Sequence, residues 1–201
     1  MSPLELLASA LGAIAVILTI RQNPWCWPIG LVMVLMYAWI FFEVKLYANV
    51  ALQFVFAGSQ LYGWWLWTRG GEQPGQALGA LSWPQRLAGL LLATLVGLLL
   101  GYALQHGTDA AAPWQDAGLT AFSLLAQLWM AQKRVECWPL WIAVDVLYVA
   151  LFISSALYLT AGLYALFTLL AVHGWLSWRR ELQLNRSEEH TSELQSLACI
   201  S

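Results

Sequence analysis

LYANVALQFVFAGSQLYGWWLW, residues Leu46 to Trp67, is long enough to cross a bilayer as a helix, yet it carries Asn49, Gln53 and Gln60. About 20 residues of helix span the ~30 Å of hydrocarbon in a membrane. At about 100° per residue, Asn49, Gln53, Phe56, Gln60, Gly63, Trp64 and Trp67 fall on one stripe. Amides in hydrocarbon need partners, so this face is expected to look at other helices or a wet cavity rather than at lipid.

The rest of the chain fits that setting. Of its 201 residues, 60% are hydrophobic and 10% charged, where a soluble domain is about a quarter charged. An all-α integral membrane protein follows. The net charge of −2 says little about partners, but nothing in the sequence resembles a basic nucleic-acid surface, so no nucleic-acid partner is expected. No P-loop, dinucleotide-binding glycine run or nucleophile–base constellation is present, so neither an enzyme nor a cofactor is expected. Cys26, Cys137 and Cys199 lack zinc-type spacing, and no metal site is expected. Cys26 and Cys137 read as small apolar filler.

Seven apolar spans can be counted, at about 4–20, 25–42, 46–67, 86–104, 115–132, 137–155 and 157–178. The first reads as a retained helix, because it lacks the basic start and cleavage site of a signal peptide. Arg21, Arg69, Arg86, Lys133, Arg134, Arg179 and Arg180 fall on one side and Lys45 alone on the other. That asymmetry predicts a cytoplasmic C-terminus and an outside N-terminus. Trp25, Trp27, Trp67, Trp138 and Trp178 lie near span ends, where an interfacial aromatic belt belongs. Residues 186–201, opening RSEEHTSELQS, are polar without helical pattern. They resemble the translation of a sequencing-library adapter and are expected to be foreign to the fold.

Adding 111 to residue numbers in the second and third spans reproduces the later half without a gap. Cys26-Trp27-Pro28 returns as Cys137-Trp138-Pro139, and Tyr37 and Phe41 as Tyr148 and Phe152. Leu46-Tyr47 returns as Leu157-Tyr158, Gly63-Trp64 as Gly174-Trp175, and Trp67 as Trp178. The expected architecture is two parallel three-helix repeats joined by a central linker helix, a 3+1+3 arrangement of seven transmembrane helices. Its parts are residues 1–67, a loop and linker helix at 68–110, residues 111–185, and the tail. Parallel repeats of this kind belong to transporters, with the substrate between them near the midplane.

The candidate substrate-binding residues are the polar and aromatic groups on facing stripes: Asn49, Gln53, Gln60, Gln127, Trp141, Asp145, Tyr148, Tyr164 and Thr168. Trp141, Asp145, Tyr148 and Phe152 share one face of the sixth span, and Thr120, Ser123 and Gln127 one face of the fifth. Asp145 lies about 12 Å from the cytoplasmic end at about 1.5 Å per residue, close to the midplane. Facing lipid, its carboxylate would cost roughly 2.5–3.5 kcal/mol. Gln53 and Tyr164 are equivalent in the repeat and could form a polar clamp. Such a site suits a flat, cationic, polar heterocycle. Each polar group also has a plainer reading as an interhelical bond, and for His173 helix packing is the better one.

W-P-I-G at Trp27 to Gly30, F-F-E-V-K-L-Y-A-N-V-A-L-Q at Phe41 to Gln53 and Y-G-W-W-L-W at Tyr62 to Trp67 resemble the PnuC family of vitamin transporters. V-E-C-W-P-L-W-I-A-V-D-V at Val135 to Val146 and G-L-Y at Gly162 to Tyr164 carry the likeness into the second half. The resemblance implies a SWEET-like fold, a trimer in a bacterial inner membrane, and facilitated diffusion of nicotinamide riboside, trapped afterwards by phosphorylation. It points to Asn49, Gln53, Trp141 and Asp145 as binding residues. Relatives carry thiamine, riboflavin or deoxynucleosides instead, and a proton-coupled carrier or a non-transporting scaffold are the further alternatives.

Overall fold

Three helices of this protein end on left-handed residues that are not glycine; Ala156 is one, and the other two precede matching sequences. Gln22 has φ 52° and Lys133 φ 51°. At the first, the Gln22 and Asn23 amides donate to the Thr19 and Leu18 carbonyls; at the second, Lys133 and Arg134 donate to Met130 and Trp129. Each set satisfies carbonyls that a helix end leaves open, as in a Schellman cap. Each turn then delivers a Cys-Trp-Pro start, where proline in the first turn removes no helical hydrogen bond.

The computed structural model describes residues 3–43, 47–69, 77–107, 112–154 and 156–198. Among them are seven helices and no strand: α1 Pro3–Ile20, α2 Cys26–Glu43, α3 Tyr47–Thr68, α4 Trp83–Gly107, α5 Pro113–Ala131, α6 Cys137–Ser154 and α7 Tyr158–Ala198. Helices α1, α2, α4, α6 and α7 are long and apolar enough to cross a bilayer. The chain is a multi-pass membrane protein. Helices α3 and α5 are long enough too, and their amides and hydroxyls lower their hydropathy.

Six helices close a ring. Contacts run α1–α2, α2–α3, α3–α5, α5–α6, α6–α7 and α7–α1, while α4 packs outside the ring on α5. Its stripe of Gly89, Ala93, Gly97 and Gly101 makes that close approach possible. Trp129 and Trp114 lie over Gly89 and Gly101, and Gly97 faces Ala117, Gly118 and Ala121. The rest of α4 shows Leu91, Leu95 and Leu99 to the surroundings, which suits lipid. At its start, Arg86 pairs with Glu136 at 2.7 Å. The Leu81 amide also donates to Glu136, and Gly79 bridges to Arg134, so the segment before α4 is tied to the α5–α6 turn.

Four tryptophans expected in an interfacial belt lie inside instead. Trp27, Trp67, Trp138 and Trp178 are all buried, and of the five expected in the belt Trp25 alone, at 68% exposure, faces outward. Trp27 meets Trp67 edge-on at 5.3 Å, Trp138 meets Trp178 edge-on at 5.3 Å, and Trp67 and Trp178 are 6.5 Å apart. Helix α3 supplies Gly63 under the Trp27 ring, and α7 supplies Gly174 under Trp138. The Trp67 indole donates to the Ala131 carbonyl at 2.8 Å, and the Trp178 indole to the Ile20 carbonyl at 3.1 Å. Every one of these contacts recurs at the 111-residue offset. Glycine makes the approach possible, which is why the ring packs inward rather than against lipid.

The last helix runs past the expected end of its span at 178 and into residues 186–198. Helix α7 continues through them to Ala198. No glycine or proline follows Gly174 before its end, and glutamate, leucine and glutamine sustain a helix without an apolar face.

Candidate functional site

Helices α6 and α7 meet along a row of aromatic side chains. Tyr148 and Phe152, one turn apart on α6, stack at 5.9 Å with 14° between planes. Tyr164 of α7 lies 4.7 Å from Tyr148 and 5.2 Å from Phe152. Phe167 closes the group edge-on to Tyr164 at 5.9 Å and reaches across to Gly12 of α1. Aromatic pairs favour such offset and edge-on geometries.

Asp145 lies one turn from Tyr148 on the same face of α6 and is 6% exposed. It is within electrostatic reach of both Tyr148 and Tyr164. No lysine or arginine pairs with it among the described residues. Its oxygens are not among the enclosed, unpartnered atoms, whereas the Trp141 indole N–H is. A buried carboxylate without a cation beside it attracts positive charge strongly, since little water screens it.

The structure therefore brings Asp145, Tyr148 and Tyr164 together. Thr168 sits one turn beyond Tyr164 and donates to its carbonyl at 2.9 Å. Gln127 is buried on α5, 7% exposed. Gln60 lays its amide against Gly30 of α2, about where a side chain there would begin. Asn49 and Gln53 are half-buried, with no hydrogen-bond partner among the described residues. His173 is exposed rather than packed between helices.

Two residues outside the expected stripes, Tyr37 and Ser9, belong to this neighbourhood, and so does Ser123 of the fifth-span stripe. Tyr37 lies within electrostatic reach of Tyr164, and its hydroxyl is 3.5 Å from Ser9 of α1. Ser123 of α5, which donates to the Leu119 carbonyl at 2.7 Å, lies beside Tyr148. The 111-residue offset carries Tyr148 onto Tyr37, and Tyr37 stacks on Phe41 at 6.2 Å as Tyr148 does on Phe152. That correspondence was the available signal for Tyr37.

Two large cavities lie elsewhere, and neither touches Asp145, Tyr148 or Tyr164. One, of about 730 Å³, opens between α1 and α7 near Arg21 and Glu181. The other, of about 610 Å³, lies between α5 and α6 on the far side from Asp145. At the basic end, the Lys133 ammonium sits 4.9 Å from the Trp67 ring. Burial pushes it below its ordinary range, and nearby Glu181 opposes that.

The profile of the family described as nicotinamide mononucleotide transporter matches residues 2–180. The chain belongs to this family. Among relatives, the nicotinamide riboside transporter PnuC of Escherichia coli (strain K12) is 27% identical over 182 residues, covering 76% of each chain. The riboflavin/roseoflavin transporter RibM of Streptomyces davaonensis is 25% identical over 179 residues, covering 87% of this chain and 83% of its own. The crystal structure of the vitamin B3 transporter PnuC superposes with a TM-score of 0.73 at 23% identity, covering 88% of this chain and 80% of that one. The nicotinamide mononucleotide transporter family thus accounts for the all-helical fold and places this chain among membrane transporters.

Proposed function

We propose that this member of the family carries nicotinamide riboside across a bacterial inner membrane by facilitated diffusion, and that phosphorylation in the cytoplasm then traps it. The observation that carries the substrate is Asp145, buried beside Tyr148 and Tyr164 with no cation paired to it among the described residues. A pyridinium riboside supplies the missing positive charge and a flat ring for the aromatic row, with cation–π attraction adding to the Coulomb term. Asn49, Gln53, Gln60, Gln127, Trp141 and Thr168 are proposed as further contacts for its hydroxyls and carboxamide, with Tyr37 beside them. The enclosed indole N–H of Trp141 would gain an acceptor.

The proposed frame is seven crossings arranged 3+1+3, with residues 1–67 and 111–185 as parallel, SWEET-like repeats and the N-terminus outside. The reciprocal bonds from Trp67 to Ala131 and from Trp178 to Ile20 support it, because each joins one proposed repeat to the other at equivalent positions. Trimeric assembly rests on the family resemblance. Residues 186–201 are proposed to be dispensable for transport.

The second reading is riboflavin, favoured by the similarity to RibM. Its neutral ring system leaves the Asp145 carboxylate without a counter-charge, so it ranks below the riboside. Thiamine is cationic and is separated only by experiment. Titration of the purified protein, followed by tryptophan fluorescence, is expected to show saturable binding of nicotinamide riboside and weaker binding of thiamine and riboflavin. Saturation by riboflavin alone would replace the substrate and leave the fold untouched.

A further inference from the structure

The cavity between α1 and α7 is not on the path past Asp145. On α7, Ala171, Gly174 and Trp178 are buried in the ring, whereas His173 is exposed and belongs to a different face. On α1, Ile17 is 41% exposed and Ile20 is buried at the cavity's inner wall, while Arg21, just past the helix end, is exposed. The cavity therefore opens on the outer flank of the seam, where α1 and α7 meet the membrane.

Its lining changes character along the helices. Ile17 and Leu170 form the end nearer the bilayer centre, and Arg21, His173, Ser177 and Glu181 follow towards the end rich in basic residues. From Leu170 to Glu181 the helix rises about 16 Å, roughly the passage from acyl chain to headgroup. Glu181 is already engaged: it accepts from Gln22 at 2.7 Å and lies near the Lys133 charge. Arg21 has no ion pair or side-chain hydrogen bond among the described residues. The cavity thus holds an unclaimed guanidinium beside apolar wall, with a volume of about 730 Å³.

The corresponding α3–α5 seam lacks this arrangement. The 111-residue offset places Leu128, Gln132, Tyr62 and Leu66 where Ile17, Arg21, His173 and Ser177 stand. No basic residue replaces Arg21.

We propose that this cavity binds an anionic glycerophospholipid, with the phosphate at Arg21 and His173 and an acyl chain along Ile17 and Leu170. Guanidinium suits phosphate through paired hydrogen bonds, and basic pockets between membrane helices recruit anionic headgroups. A bound lipid would brace the α1–α7 contact, which joins the two ends of the helix ring. The proposal rests on the membrane placement of α1 and α7 and not on the identity of the vitamin.

The test uses the full chain in detergent, with thermal unfolding and native mass spectrometry as readouts. Phosphatidylglycerol, phosphatidylcholine and inorganic phosphate are titrated separately. The expected result is that phosphatidylglycerol binds and protects, with about a fivefold preference over phosphatidylcholine, and that millimolar phosphate does neither. Arg21→Gln loses the preference without changing substrate binding. Leu170→Trp, which keeps the charge but fills the apolar half, loses the lipid too. Equal binding of both lipids, equal protection by phosphate alone, or an unchanged preference in Arg21→Gln overturns the proposal. Self-association that depends on Arg21 without lipid overturns it in favour of a second copy.

Discussion

Asp145→Asn is expected to weaken nicotinamide riboside binding by roughly 10- to 100-fold while leaving the protein folded. The substitution keeps the size and shape of the side chain and removes its charge. Hydrogen bonds and contacts to a charged group contribute about 1.5–3 kcal/mol, and each 1.4 kcal/mol is about tenfold in affinity. Stability is expected to hold or rise, because Asp145 is 6% exposed and no cation among the described residues offsets it. A neutral ligand responds differently: any weak riboflavin binding should survive the change. Calorimetric titration of wild type and variant with both compounds checks the pair of outcomes. Wild-type affinity for the riboside in Asp145→Asn would move the cation site elsewhere.

The second large effect concerns glycines rather than charges. Gly63→Ala and Gly174→Ala are each expected to lower the unfolding temperature by several degrees. A Cβ at Gly63 would stand 2.3 Å from the Trp27 ring, and one at Gly174 2.6 Å from Trp138. Neither indole can step aside, since Trp27 is 2% and Trp138 1% exposed and each is held edge-on by a second tryptophan. Overpacking of this kind costs about 1–3 kcal/mol, which outweighs the ~1 kcal/mol that alanine adds to a helix over glycine. Trp27→Phe removes the outer ring that clashes, so Gly63→Ala with Trp27→Phe should recover part of the loss. Thermal unfolding in detergent measures all four proteins. Gly63→Ala as stable as wild type would show that α3 does not depend on this approach.

Much of this was readable from the residues, and the parts that were not have physical causes. The 111-residue offset already paired Trp27 with Trp138 and Gly63 with Gly174, since close packing of indole on glycine leaves both partners visible in sequence. The direction those indoles face was not readable: a tryptophan near a span end suits an aromatic belt and a buried row equally well, and only the glycine opposite decides. The turns at Gln22 and Lys133 were hidden because left-handed caps are usually marked by glycine or asparagine, and here the Schellman bonds carry the conformation instead. Asp145 stood out because a carboxylate in an apolar span has few places to go. Its neighbour Tyr37 did not, because a tyrosine in such a span is unremarkable until α2 and α7 are placed together. Helix α7 was underestimated because residues beyond Leu184 have helix propensity without an apolar stripe, and the apolar stripe was the signal used.

The most direct test of the account is uptake of labelled nicotinamide riboside into proteoliposomes containing the purified protein and no ion gradient. Saturable entry is expected that stops when inside and outside concentrations are equal, fails in Asp145→Asn, and is unchanged by an imposed pH gradient. Entry of riboflavin but not of the riboside, or accumulation of the riboside driven by a pH gradient, would contradict it.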